Sequence, residues 1–165
     1  MIGDRSRPPP GPLSAAGLGI IAATVAIDQT SKLIADAAIG IGARIDLVPG
    51  LLSLYRVNNT GIAFSFLSDS GVVLIALMLI VTVVILAMWR SARDGGPLAA
   101  AGFALIVGGA IGNLIDRVRL GHVIDFLFLH IGDRPMFVFN LADAALTLGP
   151  ALLVLHYLLP APDTA

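Results

Sequence analysis

The chain has 165 residues, of which 57% are hydrophobic and only 13% are charged. Its formal net charge is -1, and it contains one lysine, no glutamate and no cysteine. A soluble domain of this length exposes far more charged side chains, so we expect an integral membrane protein. The missing cysteines exclude disulfides, thiolate metal sites and a cysteine nucleophile. Nothing in the charge indicates a nucleic-acid partner.

The first predicted helix follows a short polar tail. Residues 1–12 are rich in proline, and we expect this tail to be disordered. The apolar stretch 13–27 comes after two arginines and therefore also fits a cleaved signal peptide. If the helix instead continues through Asp28 and Lys32, it is long enough to span a membrane. We predict this span, over about 13–36, because the polar residues at its far end have the pattern of a site.

The segment 40–66 does not fit a membrane span. Its sequence "RIDLVPGLLSLYRV" places charged and polar residues among apolar ones around a Pro-Gly turn. This pattern predicts a β-hairpin or small sheet at the membrane surface.

Three further spans follow in the chain. Residues 71–89 contain no charge and end at an interfacial tryptophan. The third span is predicted over 97–115, where Gly108 and Gly112 form a G-x-x-x-G pair that lets another helix approach closely. After a mixed connection over 116–140, the fourth span is predicted over 141–159.

The predicted fold class is an all-α membrane protein with four transmembrane helices and a small β-hairpin or sheet at the extracytoplasmic surface. Residues 13–160 form one domain. Four spans put both termini on the same side, and the segments 36–70 and 116–140 on the other. The distribution of arginines in short loops mildly favours cytoplasmic termini.

Polar residues gather at one end of this predicted bundle. A charge in the middle of a membrane costs about 2.5–3.5 kcal/mol on insertion scales, so such residues usually face a cavity or a partner. A group of this size predicts a functional site. Its members are Asp28, Lys32, Asn59, Asn113, Asp116, Arg117, Asp125, Asn140 and Asp143.

Purely structural roles remain open for most of this group. The i,i+4 spacing of Asp28 and Lys32 allows an ion pair, and Asn113 and Arg117 have the same spacing. Asp143 lies three residues after Asn140, which is the spacing of a helix N-cap followed by an acid in the first turn.

Asp125 is different from the other members, because the apolar pentapeptide "HVIDF" gives it no capping role. It is therefore either a buried, paired carboxylate or a catalytic one.

Five short motifs resemble the bacterial lipoprotein signal peptidase family, also called signal peptidase II. They occur in the family's order over about residues 14–158: "DQTSK", "NTGIAF", "GGAIGNLIDR", "VIDF" and "FNLADAALTLG". The departures are Leu146, where an isoleucine is usual, and the proline-rich tail, and neither changes a polar site residue.

The resemblance implies a membrane aspartic endopeptidase in the bacterial cytoplasmic membrane. Such an enzyme removes the signal peptide of a prolipoprotein immediately before a diacylglyceryl-modified cysteine. The motifs "VIDF" and "FNLAD" imply that the catalytic pair is Asp125 and Asp143, on the periplasmic or extracellular face. We expect prolipoproteins and membrane lipids as partners, a monomer, and no cofactor or metal.

The residue types suit this chemistry. Two nearby carboxylates share one proton, because two adjacent negative charges are costly. The ionised member takes a proton from water, and the protonated member donates to the scissile carbonyl and then to the leaving amine. We expect Asn59, Asn113, Arg117 and Asn140 to contact the substrate backbone or orient the pair.

Other polar residues have structural roles in this hypothesis. Asp28, Lys32 and Asp116 would hold the helix ends in register. Gly61 would adopt a positive φ, so that the "NTGIAF" turn closes the hairpin over the bound peptide.

Two other classes of function compete with this interpretation. A serine–lysine peptidase would use Ser31 and Lys32, but adjacent helical residues point apart. A small transporter or a structural subunit with a polar docking end is the alternative outside the enzymes. Against a pore, the polar residues cluster at one end and do not line a path across the bilayer.

Overall fold

The structure is a computed structural model and describes residues 7–61 and 71–158. Part of the predicted surface segment, residues 62–66, lies outside the described residues. The elements in chain order are α1 (Ala15–Ala38), β1 (Arg44–Val48), β2 (Leu52–Asn59), α2 (Gly71–Ser91), α3 (Gly96–Leu120), β3 (Val123–Ile131), β4 (Arg134–Phe139) and α4 (Leu141–Leu158).

Among the described residues, three helices are long and apolar enough to cross a membrane, namely α1, α2 and α3. The apolar part of α4 that the structure describes, Leu141–His156, is shorter. Helix α3 is central, because 61% of its apolar window is buried inside the protein, whereas none of the α2 window is. The uniformly apolar side chains of α2 therefore face outward, as expected for a lipid-exposed helix.

Glycines let α3 approach both of its neighbours. A Cβ atom added to Gly108 would lie 2.7 Å from the Cβ of Thr24 in α1, and one added to Gly112 would lie 2.5 Å from Asp28 Oδ2. On the α4 side, a Cβ at Gly109 would lie 2.6 Å from the Ala142 carbonyl oxygen. The close approach predicted from the G-x-x-x-G pair is confirmed, and the helix that makes it is α1.

Two predicted helices can be compared with the structure by their bounds. Helix α1 runs continuously from Ala15 to Ala38, close to the predicted 13–36, so residues 15–27 are the first part of a longer helix. Helix α3 extends to Leu120, beyond the predicted end at residue 115. It ends there because Gly121, with φ of +76°, forms a left-handed C-cap whose N–H donates to Arg117 O.

The N-terminal tail also differs from the prediction. Within residues 7–12, the Pro10 carbonyl accepts a hydrogen bond from Trp89 Nε1 at 2.9 Å. The Arg7 carbonyl accepts another from the Gly96 N–H at 3.0 Å. These contacts tie this part of the tail to the end of α2 and the start of α3, where we expected disorder.

The predicted surface hairpin is half of a larger sheet. Strands β1 to β4 form one antiparallel sheet in the order β1-β2-β3-β4. The second hairpin, β3–β4, comes from the connection 116–140, to which we assigned no regular structure. In β3, Phe126 packs against Ala35 of α1 and against Ile39, the C-cap of that helix. Leu127 and Leu129 occupy the alternate positions of the strand, on its other face. Apolar residues at both alternating positions remove the period-two signal of a strand.

The two faces of the sheet have different chemistry. Cross-strand pairing joins apolar residues into two rows across all four strands: Val48–Leu52–Leu129–Phe137 and Ile45–Leu54–Leu127–Phe139. By strand alternation, Asp125 lies on the same face as these rows. The opposite face carries a polar group that we call the sheet cluster, consisting of Arg44, Asp46, Ser53 and His130.

Candidate active site

Asp125 lies in β3, is almost fully buried, and is held by two neutral amides. Its Oδ2 accepts a hydrogen bond from Asn59 Nδ2 at 2.8 Å, and its Oδ1 accepts one from Asn140 Nδ2 at 2.6 Å. Burial raises the pKa of Asp125 to about 6, and the nearby negative charge of Asp143 adds to this rise. The two amide donors lower the pKa and only partly offset burial. This carboxyl group therefore takes up a proton near neutral pH.

Asp143 lies in the first turn of α4, where it forms a capping box with Asn140. The Asp143 N–H donates to Asn140 Oδ1 at 2.9 Å, and Asp143 Oδ2 accepts from the Asn140 N–H at 3.2 Å. The capping interpretation is thus confirmed. The other oxygen, Oδ1, accepts from Asn113 Nδ2 at 2.8 Å. The cap uses only one oxygen of the Asp143 carboxyl group. The side chain of Asp143 is half-buried and lines a groove.

Asn140 and Asn113 connect the two aspartates. Asn140 Oδ1 accepts the hydrogen bond of the helix cap, so Asn140 Nδ2 is left to donate. It donates to Asp125 Oδ1 and, at 3.2 Å, to Asn113 Oδ1. Asn113 Oδ1 also accepts from Lys32 Nζ at 2.9 Å, which leaves the Asn113 amide N–H groups for Asp143. The helix cap and Lys32 therefore set the direction of both amides.

A group that we call the charge cluster lies behind these amides and consists of Asp28, Gln29, Lys32 and Asp116. Lys32 Nζ contacts Asp28 Oδ2 at 2.9 Å and Asp116 Oδ2 at 3.0 Å, and all three side chains are buried. The ion pair predicted from the i,i+4 spacing of Asp28 and Lys32 is confirmed. Together with the hydrogen bond from Lys32 Nζ to Asn113 Oδ1, these two contacts use all three N–H donors of the ammonium group.

The serine–lysine alternative does not fit this geometry. The Ser31 hydroxyl donates to the Asp28 carbonyl of its own helix at 2.7 Å. Lys32 Nζ contacts Asp28, Asp116 and Asn113, and these contacts use its three donors away from the Ser31 hydroxyl.

Gly61 and Arg117 complete the set predicted from the sequence. Gly61 has the predicted positive φ, +83°, and its N–H donates to Asn59 Oδ1 at 2.8 Å. This bond turns the Asn59 amide N–H groups toward Asp125. The rest of the "NTGIAF" turn lies outside the described residues. Arg117 is half-buried, and among the described residues its guanidinium makes no hydrogen bond, although it lies close enough to Asp143 and Asp125 to interact with their charges.

An apolar groove of about 520 Å³ opens beside Asp143. It is lined by Phe137 and Phe139 of β4 and by Ala144, Thr147 and Leu148 of α4. The Thr147 hydroxyl donates to the Asp143 carbonyl at 2.9 Å, so little polar surface remains in the groove. Hydrocarbon would fit this lining, and the carboxyl group of Asp143 lies at one end of it.

The sequence analysis missed Gln29. Its Nε2 lies 2.9 Å from Asp116 Oδ1, 3.1 Å from Gly112 O and 3.2 Å from Asp28 Oδ2. Its position inside the motif "DQTSK", next to Asp28, was the available signal.

Solved structures with the same fold define the class of this protein. The chain is similar to a bacterial membrane enzyme solved by the in meso method at 1.9 Å resolution, with a TM-score of 0.81 and 25% identity. The comparison covers 98% of this chain and 99% of that one. A second bacterial membrane enzyme, solved at 2.3 Å, gives a TM-score of 0.78 at 25% identity over 94% and 92% of the two chains. The fold is that of a multi-pass membrane enzyme.

The family model described as "Signal peptidase (SPase) II" matches residues 20–159. Lipoprotein signal peptidase from Mesorhizobium japonicum is 43% identical over 143 residues, covering 85% of this chain and 83% of that protein. Lipoprotein signal peptidase from Brucella ovis is 43% identical over 142 residues, covering 84% and 87%. The chain belongs to the signal peptidase II family of aspartic peptidases. The resemblance drawn from the five motifs is confirmed.

Proposed function

We propose that Asp125 and Asp143 are the catalytic pair of this signal peptidase II. We further propose that the enzyme cleaves prolipoproteins immediately before a cysteine that bears a diacylglyceryl group. The observation that supports this most strongly is the shared Asn140, which donates to Asp125 and forms the capping box with Asp143. Two carboxyl groups from different elements are thereby held next to each other beside an apolar groove.

The proposed reaction begins with one proton shared by the pair, because adjacent negative charges raise the proton affinity of the site. The ionised carboxylate takes a proton from a water molecule, which attacks the scissile carbonyl. The protonated carboxyl donates a hydrogen bond to the carbonyl oxygen and then protonates the leaving amine. The raised pKa of Asp125 supports this scheme, because the pair must hold one proton near neutral pH.

Polar neighbours would orient the pair and the substrate. Asn59, Asn113 and Asn140 present neutral donors to the carboxylates and so orient them without placing a positive charge on them. The Arg117 guanidinium has no hydrogen bond among the described residues, so it is available for a substrate carbonyl or for the developing oxyanion.

The groove beside Asp143 would receive hydrocarbon of the substrate. Its lining by two phenylalanines, Ala144 and Leu148 suits an acyl chain or the apolar signal peptide. The adjoining apolar rows of the sheet extend this surface, with Phe137 53% exposed and Ile45 49% exposed. Membrane lipids would cover what the substrate leaves exposed.

We also propose four membrane spans in a monomer. The 18 residues of α4 span about 27 Å at the usual helical rise, close to the thickness of a bilayer's hydrocarbon core. Four spans would put both termini on one side of the membrane, and we propose that this side is the cytoplasm. The catalytic pair and the sheet would then lie at the periplasmic or extracellular face of the cytoplasmic membrane.

The test is cleavage of a diacylglyceryl-modified precursor by the purified protein in detergent, followed as a gel shift. Wild type would be compared with Asp125→Asn and Asp143→Asn, and the unlipidated precursor would serve as the substrate control. We expect only wild type to cut, and only the lipidated form. If either variant cuts at the wild-type rate, the assignment of the pair is wrong. If the unlipidated form is cut equally, the proposed substrate requirement is wrong.

A further inference from the structure

The two acids of the charge cluster contact the backbone at equivalent places. Asp28 Oδ1 accepts a hydrogen bond from the Ala142 N–H at 2.9 Å, and Ala142 directly precedes Asp143. Asp116 Oδ2 accepts one from the Ile124 N–H at 3.2 Å, and Ile124 directly precedes Asp125. Each buried acid therefore holds the backbone N–H of the residue just before one member of the proposed catalytic pair.

The same two acids are joined to each other by two bridges. Lys32 Nζ lies within 3.0 Å of one oxygen of each acid. Gln29 Nε2 lies 3.2 Å from Asp28 Oδ2 and 2.9 Å from Asp116 Oδ1, so its amide forms a second, uncharged bridge. A continuous path of hydrogen bonds thus runs from the backbone at Asp143, through these bridges, to the backbone at Asp125.

Helix packing makes this path short and rigid. An added Cβ at Gly112 would lie 2.5 Å from Asp28 Oδ2, so the glycine leaves only the room that this carboxylate fills. Asp28 and Lys32 are 0% and 1% exposed, and Asp116 is 2% exposed. Buried groups with every donor and acceptor satisfied have one preferred arrangement.

We infer that Gln29 and Lys32 are positioning residues that set the separation of Asp125 and Asp143 through the two backbone N–H groups. This inference rests on the proposed function, because it assumes that these aspartates form the catalytic pair. Neither residue needs to touch the substrate, since each acts through Asp28 and Asp116.

Gln29→Met tests the inference without changing any charge. Methionine has a similar length and suits a half-buried helical position, so the helix should form as before. One of the two bridges is lost, so that only Lys32 still joins the two acids and the separation of the two backbone N–H groups is less tightly fixed. A misplacement of about 1 Å costs roughly 100-fold in rate, so we expect kcat for the lipidated precursor to fall roughly 10- to 100-fold. KM should stay near its wild-type value.

The pH profile of kcat is the readout that a loss of stability alone would not move. Two coupled carboxyl groups titrate with two separated apparent pKa values, and their separation narrows as the groups move apart. We expect the acidic and basic limbs of the profile to converge in Gln29→Met. A second variant, Gln29→Glu, retains length but places a negative charge beside Asp28 and Asp116, and it should lower kcat further.

Two control variants separate positioning from stability. Trp89→Phe removes the hydrogen bond to the Pro10 carbonyl at the far end of the bundle and should lower Tm without changing the pH profile. Arg119→Gln removes only the long contact to Gln29 Oε1, at 3.5 Å, and should leave kcat unchanged.

If Gln29→Met lowers Tm but keeps the wild-type kcat and pH profile, the positioning role is wrong. The proposed function would then still stand, because it depends on the loss of activity in Asp125→Asn and Asp143→Asn.

Discussion

Two aspartates of the same sheet, Asp125 and Asp46, show how burial and neighbouring groups give a carboxyl group a different proton affinity. Each accepts two side-chain hydrogen bonds. Asp125 is buried among neutral amides near another acid, and its pKa rises to about 6. In the sheet cluster, the hydroxyl of Ser53 and the guanidinium of Arg44 hold the pKa of Asp46 below its usual range.

The comparison bears on the proposed catalytic role of Asp125, which needs a proton on the pair. Burial is the largest cause of the raised pKa of Asp125, and the hydrogen bonds from Asn59 and Asn140 lower this pKa without overcoming burial. The exposed Asp46 has its pKa lowered first by the Ser53 hydroxyl and then by Arg44. The ammonium of Lys32 contacts Asn113 Oδ1 and lowers the pKa of Asp125 less than either amide does.

The largest effect on kcat should come from replacing Asp125 by asparagine. Asp125→Asn removes a group that we propose exchanges protons with the substrate, so we expect kcat to fall roughly 10²- to 10⁴-fold. Asp46→Asn should leave the cleavage rate at the wild-type value. Both would be measured on the lipidated precursor in detergent. A similar loss of rate in Asp46→Asn would show that the sheet cluster also takes part in catalysis.

Two helix caps offer a second comparison. Asn140→Ala and Ser14→Ala each remove an N-cap side chain, and each should lower stability by about 1 kcal/mol. Only Asn140 also contacts Asp125, so only Asn140→Ala should lower kcat, by roughly 100-fold. Thermal unfolding and cleavage assays on the same preparations would measure both effects. Equal cleavage rates in the two variants would contradict the role of Asn140 in orienting the pair.

Stability should depend on pH with opposite signs at the two aspartates. The folded state binds the proton of Asp125 more tightly than the unfolded state does. The contribution of this group to the free energy of unfolding therefore decreases as pH rises from 3.8 to about 6. Asp46 binds its proton less tightly when folded, and its stabilising contribution is lost as pH falls below 3.8.

Thermal melts of wild type and the two asparagine variants across this pH range would measure these signs. The Tm of Asp125→Asn relative to wild type should increase with pH between 3.8 and 6. The Tm of Asp46→Asn relative to wild type should decrease as pH rises from strong acid. Parallel trends in the two variants would contradict the contrast between the sites.

The smallest effect on kcat should come from replacing two glycines that have a positive φ, Gly61 beside Asn59 and Gly50 in the turn between β1 and β2. Gly61→Ala and Gly50→Ala place a side chain at φ of +83° and +78°, which costs about 1–2 kcal/mol in either case. Gly61 also orients Asn59 through its N–H. The strained backbone of Gly61→Ala should displace this N–H, so the variant should additionally lower kcat by a few-fold. Gly50→Ala should change only Tm. If both variants keep the wild-type kcat, the link from Gly61 to Asp125 through Asn59 is not needed.

Much of the fold was accessible from the sequence, because long apolar runs without charges have few alternatives to membrane helices. Helices α1, α2 and α3 were placed within a few residues. Strands β3 and β4 were missed, because apolar residues on both faces of β3 hide the alternation that identifies a strand. The C-terminus of α3 was placed too early, because Asp116 and Arg117 were taken as the start of a polar connection.

The candidate site was predictable as a set of residues, and the structure brings nearly all of them together. Their pairing was only partly predictable. The i,i+4 contact of Asp28 with Lys32 and the capping box of Asn140 with Asp143 are local, so residue spacing predicted them. The contact of Lys32 with Asp116 joins residues from α1 and α3.

Composition, the apolar runs and five short motifs were thus enough to determine a membrane-embedded chain, its family and its polar residues, because these are properties of local sequence. Which amide donates to which carboxylate was decided only by the tertiary structure. Asn59, Asn113 and Asn140 each have a donor end and an acceptor end, and sequence does not state which end faces an acid. Each acceptor end already has a donor: the Gly61 N–H for Asn59, Lys32 Nζ for Asn113, and the Asp143 N–H for Asn140. The donor ends are therefore left to face Asp125 and Asp143.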